Sequence, residues 1–225
     1  LLMTVFKLAF GTRGQLTGDF EGLPYQDFLA PGLVMMAILQ NAFQNSSSSL
    51  TIAKVQGTTV DFLMPPLSPL ELTLGFLGGA ATRGIVVALV SALVIVLLGI
   101  AELRIAHFWA IVWFAAMGAI ALGSVGVLGG IWAEKFDHLA AVTNFVIVPL
   151  TMLSGTFYDI KVLVEPFETL SHLNPFFFLI DGFRYGFIGV ANSNLAVGVV
   201  ATGLITLALS VIVWLVLKSG YRLKA

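Results

Sequence analysis

Long apolar stretches, separated by short segments that carry the charged residues, dominate this chain. A helix needs about 20 apolar residues to cross a bilayer, so each long stretch is a candidate membrane span. The opening stretch, 1–10, is interpreted as the end of a span that begins before the sequence does, with a cleaved signal peptide as the alternative. Five complete spans follow, predicted at 28–46, 72–100, 108–131, 139–158 and 195–217. The pattern therefore predicts an all-α integral membrane protein with six transmembrane helices, the first one truncated, in a single transmembrane domain over 1–225.

The composition also indicates a membrane protein. Apolar residues make up 58% of the 225 residues, charged residues make up 10%, and the mean hydropathy is +1.00. Soluble domains are about 45–50% apolar and about 25% charged, and a single soluble core could not bury the excess. The net charge of −1 gives no basic surface for nucleic acid. The lack of cysteine excludes disulfides and thiolate metal sites.

The connection over 48–71 is too long to be a simple turn. It contains an apolar run that ends at two successive prolines, Pro65 and Pro66. Proline removes a backbone donor and disfavours helical geometry in the residue before it. We therefore expect a short helix in this connection that stops at Pro65.

A second long connection is expected to hold short helices over 160–190. Its apolar part, 176–190, has fifteen residues and cannot cross about 30 Å of hydrocarbon as a helix. Asn174 is a good N-cap and Pro175 suits the first helical position. We therefore predict a helix that either dips into the outer leaflet as a re-entrant segment or lies along it.

The C-terminal tail predicts the orientation of the chain. It carries Lys218, Arg222 and Lys224 within a few residues of the last span. Because basic ends of membrane spans are retained in the cytoplasm, we expect a cytoplasmic C-terminus. Counting the spans backwards then places 48–71 on the cytoplasmic side and 160–190 on the outer side.

Charged and small residues within the helices allow further predictions. Asp181 and Arg184 are three residues apart and share a helix face, either as an ion pair that anchors the helix at the interface or as a gate of the outer exit. Arg83 is expected in the first turns of its span, where its side chain could extend to the inner interface. Glycine pairs four residues apart predict close helix packing, and they are Gly75 with Gly79, Gly126 with Gly130, and Gly182 with Gly186.

Motifs of nucleotide binding and hydrolysis are missing from the sequence. It has no G-x-x-x-x-G-K-[ST] loop for ATP phosphates, no H-E-x-x-H metal motif and no G-x-S-x-G nucleophile turn. The acidic residues are dispersed, which argues against a membrane-bound transferase. We therefore expect a chain without a catalytic, cofactor or metal site of its own.

Several short motifs occur in order along the chain. They are FLAPGL at 28–33, GTTVDFL at 57–63 followed by Pro65 and the Ser68-Pro69 step, PLTMLSGTFY at 149–158, LNP at 173–175 and DGFRYG at 181–186. Together they resemble the ABC-2-type transporter permeases, the transmembrane subunits of exporters for capsule polysaccharide, O-antigen, nodulation factors and drugs. The resemblance covers nearly the whole chain, and its most specific part runs from Ser154 to Gly186.

This resemblance implies two functional regions and two kinds of partner. The connection 48–71 would dock into a cytoplasmic ABC ATPase subunit, through Gly57, Thr58, Thr59, Asp61, Phe62, Leu63 and Pro65. The outer re-entrant helices would form a gate, with Ser154, Gly155, Asn174, Pro175, Asp181 and Arg184 as its residues. ATP and Mg²⁺ would be bound by the ATPase subunit, and a second permease copy would complete a homodimer.

The combined prediction is a multi-pass permease of the cytoplasmic (inner) membrane that exports an amphipathic or hydrophobic substrate. Such a substrate could be a drug, a lipid or a glycan-linked molecule, and a separate ATPase subunit would power its export. The alternative is a membrane channel or lipid scramblase that works without an ATPase.

Overall fold

The computed structural model describes residues 20, 22–59, 66–160 and 167–221. Within these ranges every regular element is a helix, as predicted. The helices are α1 (Tyr25–Gln56), α2 (Pro69–Leu97), α3 (Phe108–Trp132), α4 (Phe136–Met152), α5 (Phe167–Leu173), α6 (Pro175–Ile188) and α7 (Leu195–Ser219). The predicted span end at 1–10 lies outside the described residues.

Three helices among the described residues, α2, α3 and α7, are long and apolar enough to cross a membrane. α2 and α7 expose large apolar side chains along their length, for example Leu97 at 74% and Leu207 at 62%. An aqueous surface rarely carries a continuous apolar patch of this extent, so we expect these faces to contact lipid. α1 has 32 residues, but its second half is polar. Three of the six predicted spans therefore correspond to helices of spanning length and apolarity.

α1 extends further than the predicted span at 28–46. It continues to Gln56 and ends at Gly57, which has a left-handed backbone (φ 71°). The N–H of Gly57 bonds the carbonyl of Lys54 at 3.2 Å, and a left-handed glycine is a common helix terminator. The first part of the connection predicted at 48–71 is thus helical, because no residue before Gly57 interrupts the helix.

α2 begins at Pro69, earlier than the predicted 72, because a capping box stabilises its first turn. The Ser68 hydroxyl accepts the N–H of Glu71 at 3.2 Å, and the Glu71 carboxylate accepts the N–H of Ser68 at 2.7 Å. With this start, Arg83 is the middle residue of α2, about 21 Å from either end. α2 is about 43 Å long and thus longer than the roughly 30 Å of hydrocarbon that a span crosses, so its ends do not mark the membrane interface and the reach of Arg83 to the inner interface stays a prediction.

The predicted span at 139–158 is a helix of mixed geometry. Phe136–Val142 is α-helical, Thr143–Ile147 forms a π-helical turn, and α-helix resumes over Val148–Met152. Pro149 has no N–H to donate to the preceding turn, which accounts for the widened hydrogen-bond ladder there. α4 ends at Met152 and is therefore shorter than the predicted span.

α1 lies at the centre of the bundle and packs on α2, α3 and α6. Two glycines of α3 allow its closest approach. A Cβ added at Gly126 would lie 2.5 Å from the carbonyl oxygen of Phe43, and one added at Gly130 would lie 2.9 Å from that of Ser47. The predicted packing role of this glycine pair is confirmed.

The other two glycine pairs differ from one another. A Cβ at Gly182 would overlap the Phe114 ring, and one at Gly186 would overlap Ile111, so this pair sets how closely α6 approaches α3. The packing prediction is confirmed for it. Gly75 is exposed and has no atom within 4 Å of the position that a Cβ would take. It takes no part in helix packing within the described chain.

The helices run between two ends of the bundle. At the first, which we call the Gly57 end, Lys54 of α1 donates to backbone carbonyls at the end of α3. At the second, the Arg184 end, the Asp27 carboxylate accepts the N–H of Glu102 at 2.8 Å, which fastens the start of α1 to the connection between α2 and α3. Consecutive long helices thus alternate in direction, as a chain that crosses a membrane repeatedly requires.

Candidate functional site

Arg184 of α6 joins three of the sequence motifs. Its Nε donates to the carbonyl of Phe28 at 3.2 Å, and its Nη2 donates to the carbonyls of Gly155 at 2.7 Å and Thr156 at 3.5 Å. The guanidinium lies 3.8 Å from the centre of the Phe28 ring, a cation–π distance. The side chain is 1% exposed. Segments far apart in the sequence therefore meet at one buried cation.

The motif at the start of α1 makes room for this cation. A Cβ added at Gly32 would lie 3.1 Å from Nη2 of Arg184 and 3.1 Å from the carbonyl oxygen of Thr156. A side chain there would therefore require the guanidinium or the Thr156 carbonyl to shift by a few tenths of an ångström. Pro31 precedes this glycine near the start of α1, and its missing N–H leaves the carbonyl of Asp27, next to the Phe28 carbonyl that the guanidinium binds, without its helical donor. Together with Phe28, the motif supplies a carbonyl, an aromatic face and space.

The turn after α4 presents the carbonyls that Arg184 binds. Gly155 has a left-handed backbone (φ 69°), and a Cβ there would lie 2.9 Å from Ile160. The hydroxyls of Ser154 and Thr156 both donate to the carbonyl of Thr151, at 2.5 and 3.0 Å. Ser154 and Gly155, which were predicted as gate residues, thus lie in a tightly hydrogen-bonded turn beside α6.

Asp181 has different partners from Arg184. Its carboxylate accepts the N–H of Asn192 at 3.0 Å and both the N–H and the hydroxyl of Ser193, at 2.9 and 2.7 Å. It is 1% exposed and fastens the connection between α6 and α7. Asp181 and Arg184 therefore make no direct ion pair of the kind predicted, although their charges still interact through space. The direct partners of the two side chains differ, because one faces the connection to α7 and the other faces α1 and the turn after α4.

Asn174 and Pro175 start α6 as predicted. The Asn174 side chain accepts the N–H of Phe176 at 3.0 Å, and Pro175 is the first helical residue. The same side chain donates from Nδ2 to the carbonyl of Leu150 at 2.6 Å. Asn174 therefore both caps α6 and ties its start to α4.

α6 is enclosed by the bundle rather than laid on its surface. It packs on α1, α3 and α7, and most of its residues are buried. Even Phe177 and Phe183 are only 1% and 2% exposed. This burial fits the re-entrant alternative and does not fit a helix lying along lipid.

The second predicted region is described only in part. Gly57, Thr58 and Thr59 follow the end of α1, and the N–H of Thr58 bonds the carbonyl of Ala53 at 2.9 Å. The remaining predicted residues of this region lie outside the described part of the chain, and they are Asp61, Phe62, Leu63 and Pro65.

Lys54 also lies at this end of the bundle, and it was not among the predicted site residues. Its Nζ donates to the carbonyl of Ile131 and, at 3.3 Å, to that of Ala133, where α3 ends. A cation at a helix C-terminus binds carbonyls that lack helical donors and interacts favourably with the helix dipole. The available signal was a lysine in the last turn of α1, but its partner helix could not be read from the sequence.

Comparison with known proteins agrees with these motifs. The sequence matches the family described as ABC-2 type transporter over residues 1–188. It is similar to the inner membrane transport permease YadH of Escherichia coli (strain K12), at 33% identity over 100% of this chain and 88% of the relative. It is also similar to Nodulation protein J of Sinorhizobium fredii, at 27% identity over 76% of this chain and 65% of the relative. The chain therefore belongs to the ABC-2 type transporter family.

Proposed function

We propose that this chain is the permease subunit of an exporter in the cytoplasmic membrane, driven by a separate ATPase subunit. The family assignment and the names of its relatives support a permease. Two copies of the chain would form the path through the membrane, and ATP and Mg²⁺ would be bound by the partner ATPase. The chain itself would act by rearranging its helices rather than by catalysis.

One observation carries the proposal, namely that α1 joins the two predicted functional regions. It has 32 residues and is about 48 Å long. Near its start the Phe28 carbonyl binds Arg184, and at its end lies Gly57, the first residue of the proposed ATPase contact. A displacement of the docking region would therefore be carried along one helix to the proposed outer gate, as rigid-body transitions require.

Lys54 supports this path by linking α1 to a second helix. Its bonds to Ile131 and Ala133 join the last turn of α1 to the end of α3, three residues before Gly57. Motion of the docking region would thus reach α1 and α3 together. These two helices also pack closely at Gly126 and Gly130, so they are suited to move as a unit.

The spanning helices support an amphipathic or hydrophobic substrate. Their charged residues are Glu71 in the first turn of α2, Arg83 at its middle and Lys218 in the last turn of α7. Few charged groups are thus available along the spans for a strongly hydrated cargo. The alternative function, a channel or lipid scramblase without an ATPase, is supported by the same apolar surfaces and differs in needing no ATP.

The proposed orientation puts the Gly57 end and the C-terminus in the cytoplasm. Because the chain has no cysteine, single cysteines at Gly57 and Lys135 can be labelled with a membrane-impermeant maleimide. Both positions lie at the Gly57 end, and both should react only from the cytoplasmic side. Reaction of Gly57→Cys from outside would reverse the orientation and remove the docking assignment.

The coupling step can be tested at Asp61 and Phe62. Replacing both with alanine in the permease, reconstituted with its ATPase subunit, should leave insertion and thermal stability unchanged. The same change should reduce ATP hydrolysis coupled to transport severalfold. Glu102→Gln at the opposite end of the bundle is the matched control and should retain wild-type turnover. Wild-type turnover in the double alanine variant would contradict a docking role for this region.

A further inference from the structure

A cleft lined by both polar and apolar side chains reaches the middle of α2. Its volume is about 450 Å³, within the roughly 300–1,000 Å³ range of ligand pockets. It extends from the first turn of α4, at Phe136, to Arg83. The polar side chains beside Arg83 come from α1 and α4, and they are Gln44, Ser47, Ser48, Thr143 and Asn144.

The Arg83 guanidinium makes one long hydrogen bond to the described residues around this cleft. Its Nη1 donates to Oδ1 of Asn45 at 3.4 Å, and its side chain is exposed. No acidic side chain of the described residues lies within 4.0 Å of its guanidinium. A guanidinium has five N–H donors, so most of them remain available for another ligand.

The position of Arg83 raises the free-energy cost of leaving its charge without a counter-ion. α2 is long and apolar enough to cross a membrane, and Arg83 is its middle residue, about 21 Å from either end. An arginine at the centre of a membrane helix is unfavourable, and such residues mark ligand or ion pathways. An anion at the guanidinium would offset this cost.

Neighbouring side chains add further polar groups to the cleft. Gly79 lies one helical turn before Arg83, and a Cβ there would meet Nδ2 of Asn45 at an ordinary contact distance of 3.5 Å. Gln44 and Asn144 are exposed, and both carry amide N–H donors on the cleft wall. Phe136 adds an apolar surface at its mouth.

We propose that Arg83 binds a phosphate group in this cleft, with Gln44 and Asn144 as further donors. A guanidinium matches phosphate through paired N–H bonds, which an ammonium group cannot reproduce. The phosphate can belong to an amphipathic molecule in the membrane or be free phosphate. The assignment of this site to exported cargo rests on the proposed function, whereas binding itself does not.

Binding can be measured on the full-length permease in detergent without any ATPase. The probes are short-chain phosphatidic acid, diacylglycerol with the same chains, and inorganic phosphate, each followed by thermal unfolding and by native mass spectrometry. We expect phosphatidic acid to raise the unfolding temperature and to be retained by the protein. Arg83→Gln should weaken its apparent affinity about tenfold or more, because a charge-assisted bond is lost. Arg83→Lys should show an intermediate loss, since it keeps the charge without the paired donors.

Control variants test whether the loss of binding is specific to the Arg83 cleft. Arg104→Gln changes an arginine whose side chain is 85% exposed, and it should bind like the wild type. Gln44→Leu with Asn144→Leu leaves Arg83 in place and should also weaken phosphatidic acid binding, which keeps the test valid if Arg83→Gln fails to fold. Equal binding of phosphatidic acid by the wild type, Arg83→Gln and Arg83→Lys would overturn the proposal, as would equal binding of diacylglycerol.

The inorganic phosphate probe identifies the source of the phosphate. An Arg83-dependent effect of phosphatidic acid that inorganic phosphate does not reproduce indicates a lipid-borne ligand. An Arg83-dependent effect of inorganic phosphate alone indicates a free anion. If the reconstituted complex transports with ATP but the permease binds neither probe, this site is wrong and the proposed function stands. If the permease binds phosphatidic acid but the reconstituted complex shows no ATP-dependent transport, the phosphate site stands and the proposed function is wrong.

Discussion

The Nη2 atom of Arg184 donates a 2.7 Å hydrogen bond to the carbonyl of Gly155, 29 residues earlier in the chain. The same guanidinium donates to the Phe28 carbonyl and stacks on its ring. Backbone carbonyls and an aromatic face, rather than a carboxylate, are therefore its direct partners. Arg184 thus fastens α6 to α1 and to the turn after α4.

Arg184→Met should destabilise the folded protein. Removing the guanidinium leaves the buried carbonyls of Phe28 and Gly155 without these donors, which we expect to lower the free energy of unfolding by about 3 kcal/mol or more. The measurement is thermal unfolding of the detergent-purified protein. Arg104→Gln is the control, because its exposed ion pair with Glu102 contributes about 0–1 kcal/mol. Equal unfolding temperatures for the two variants would contradict the role of Arg184.

Exchanging the charges of Asp181 and Arg184 should not restore stability. Asp181→Asn should be destabilising, because an amide nitrogen cannot accept the hydrogen bonds that Ser193 donates. The exchange Asp181→Arg with Arg184→Asp should be at least as unstable as either single variant, since it places a cation against backbone N–H donors. Recovery of wild-type unfolding temperature and export in the exchanged protein would instead support a direct ion pair.

The apolar pattern predicted much of the fold, whereas the partners of its polar residues could not be predicted. The apolar stretches between charged residues predicted α2, α3 and α7. The capping preferences of Asn174 and Pro175 predicted the start of α6. The helix spacing of Asp181 and Arg184 suggested a pair, but each side chain bonds elements that only the tertiary fold brings close. The predicted start of α2, based on the positions of charged residues, is three residues too late, although the capping box at Ser68 is visible in the sequence. That displacement concealed the central position of Arg83.

Gly126→Ala should be far more damaging than Gly129→Ala on the same helix. The first change places a Cβ 2.5 Å from the Phe43 carbonyl oxygen, which is backbone and cannot move aside without separating α1 from α3. The second places a Cβ at an ordinary contact distance, 3.6 Å from Leu139. Overpacking of this kind typically costs about 1–3 kcal/mol. Thermal unfolding of both variants measures the difference, and equal values would contradict the close crossing of α1 and α3.

Lys54→Met should uncouple the proposed docking region from α3. The change removes the bonds to Ile131 and Ala133 at the end of α3, so ATP hydrolysis in the reconstituted complex should continue while transport per ATP falls. Lys135→Met, which changes an exposed lysine near the same end, is the matched control. An unchanged ratio of transport to hydrolysis in Lys54→Met would show that this link transmits no motion.

In the proposed mechanism the permease moves its substrate only when an ATPase subunit hydrolyses ATP. Inverted membrane vesicles containing the full-length permease and its ATPase subunit can be supplied with an amphipathic fluorescent dye and a fluorescent phospholipid. We predict uptake with ATP and Mg²⁺, no uptake with a non-hydrolysable ATP analogue, and severalfold slower uptake in the Asp61→Ala, Phe62→Ala double variant. Permease-dependent movement at the same rate without ATP would contradict the account and identify a passive channel or scramblase.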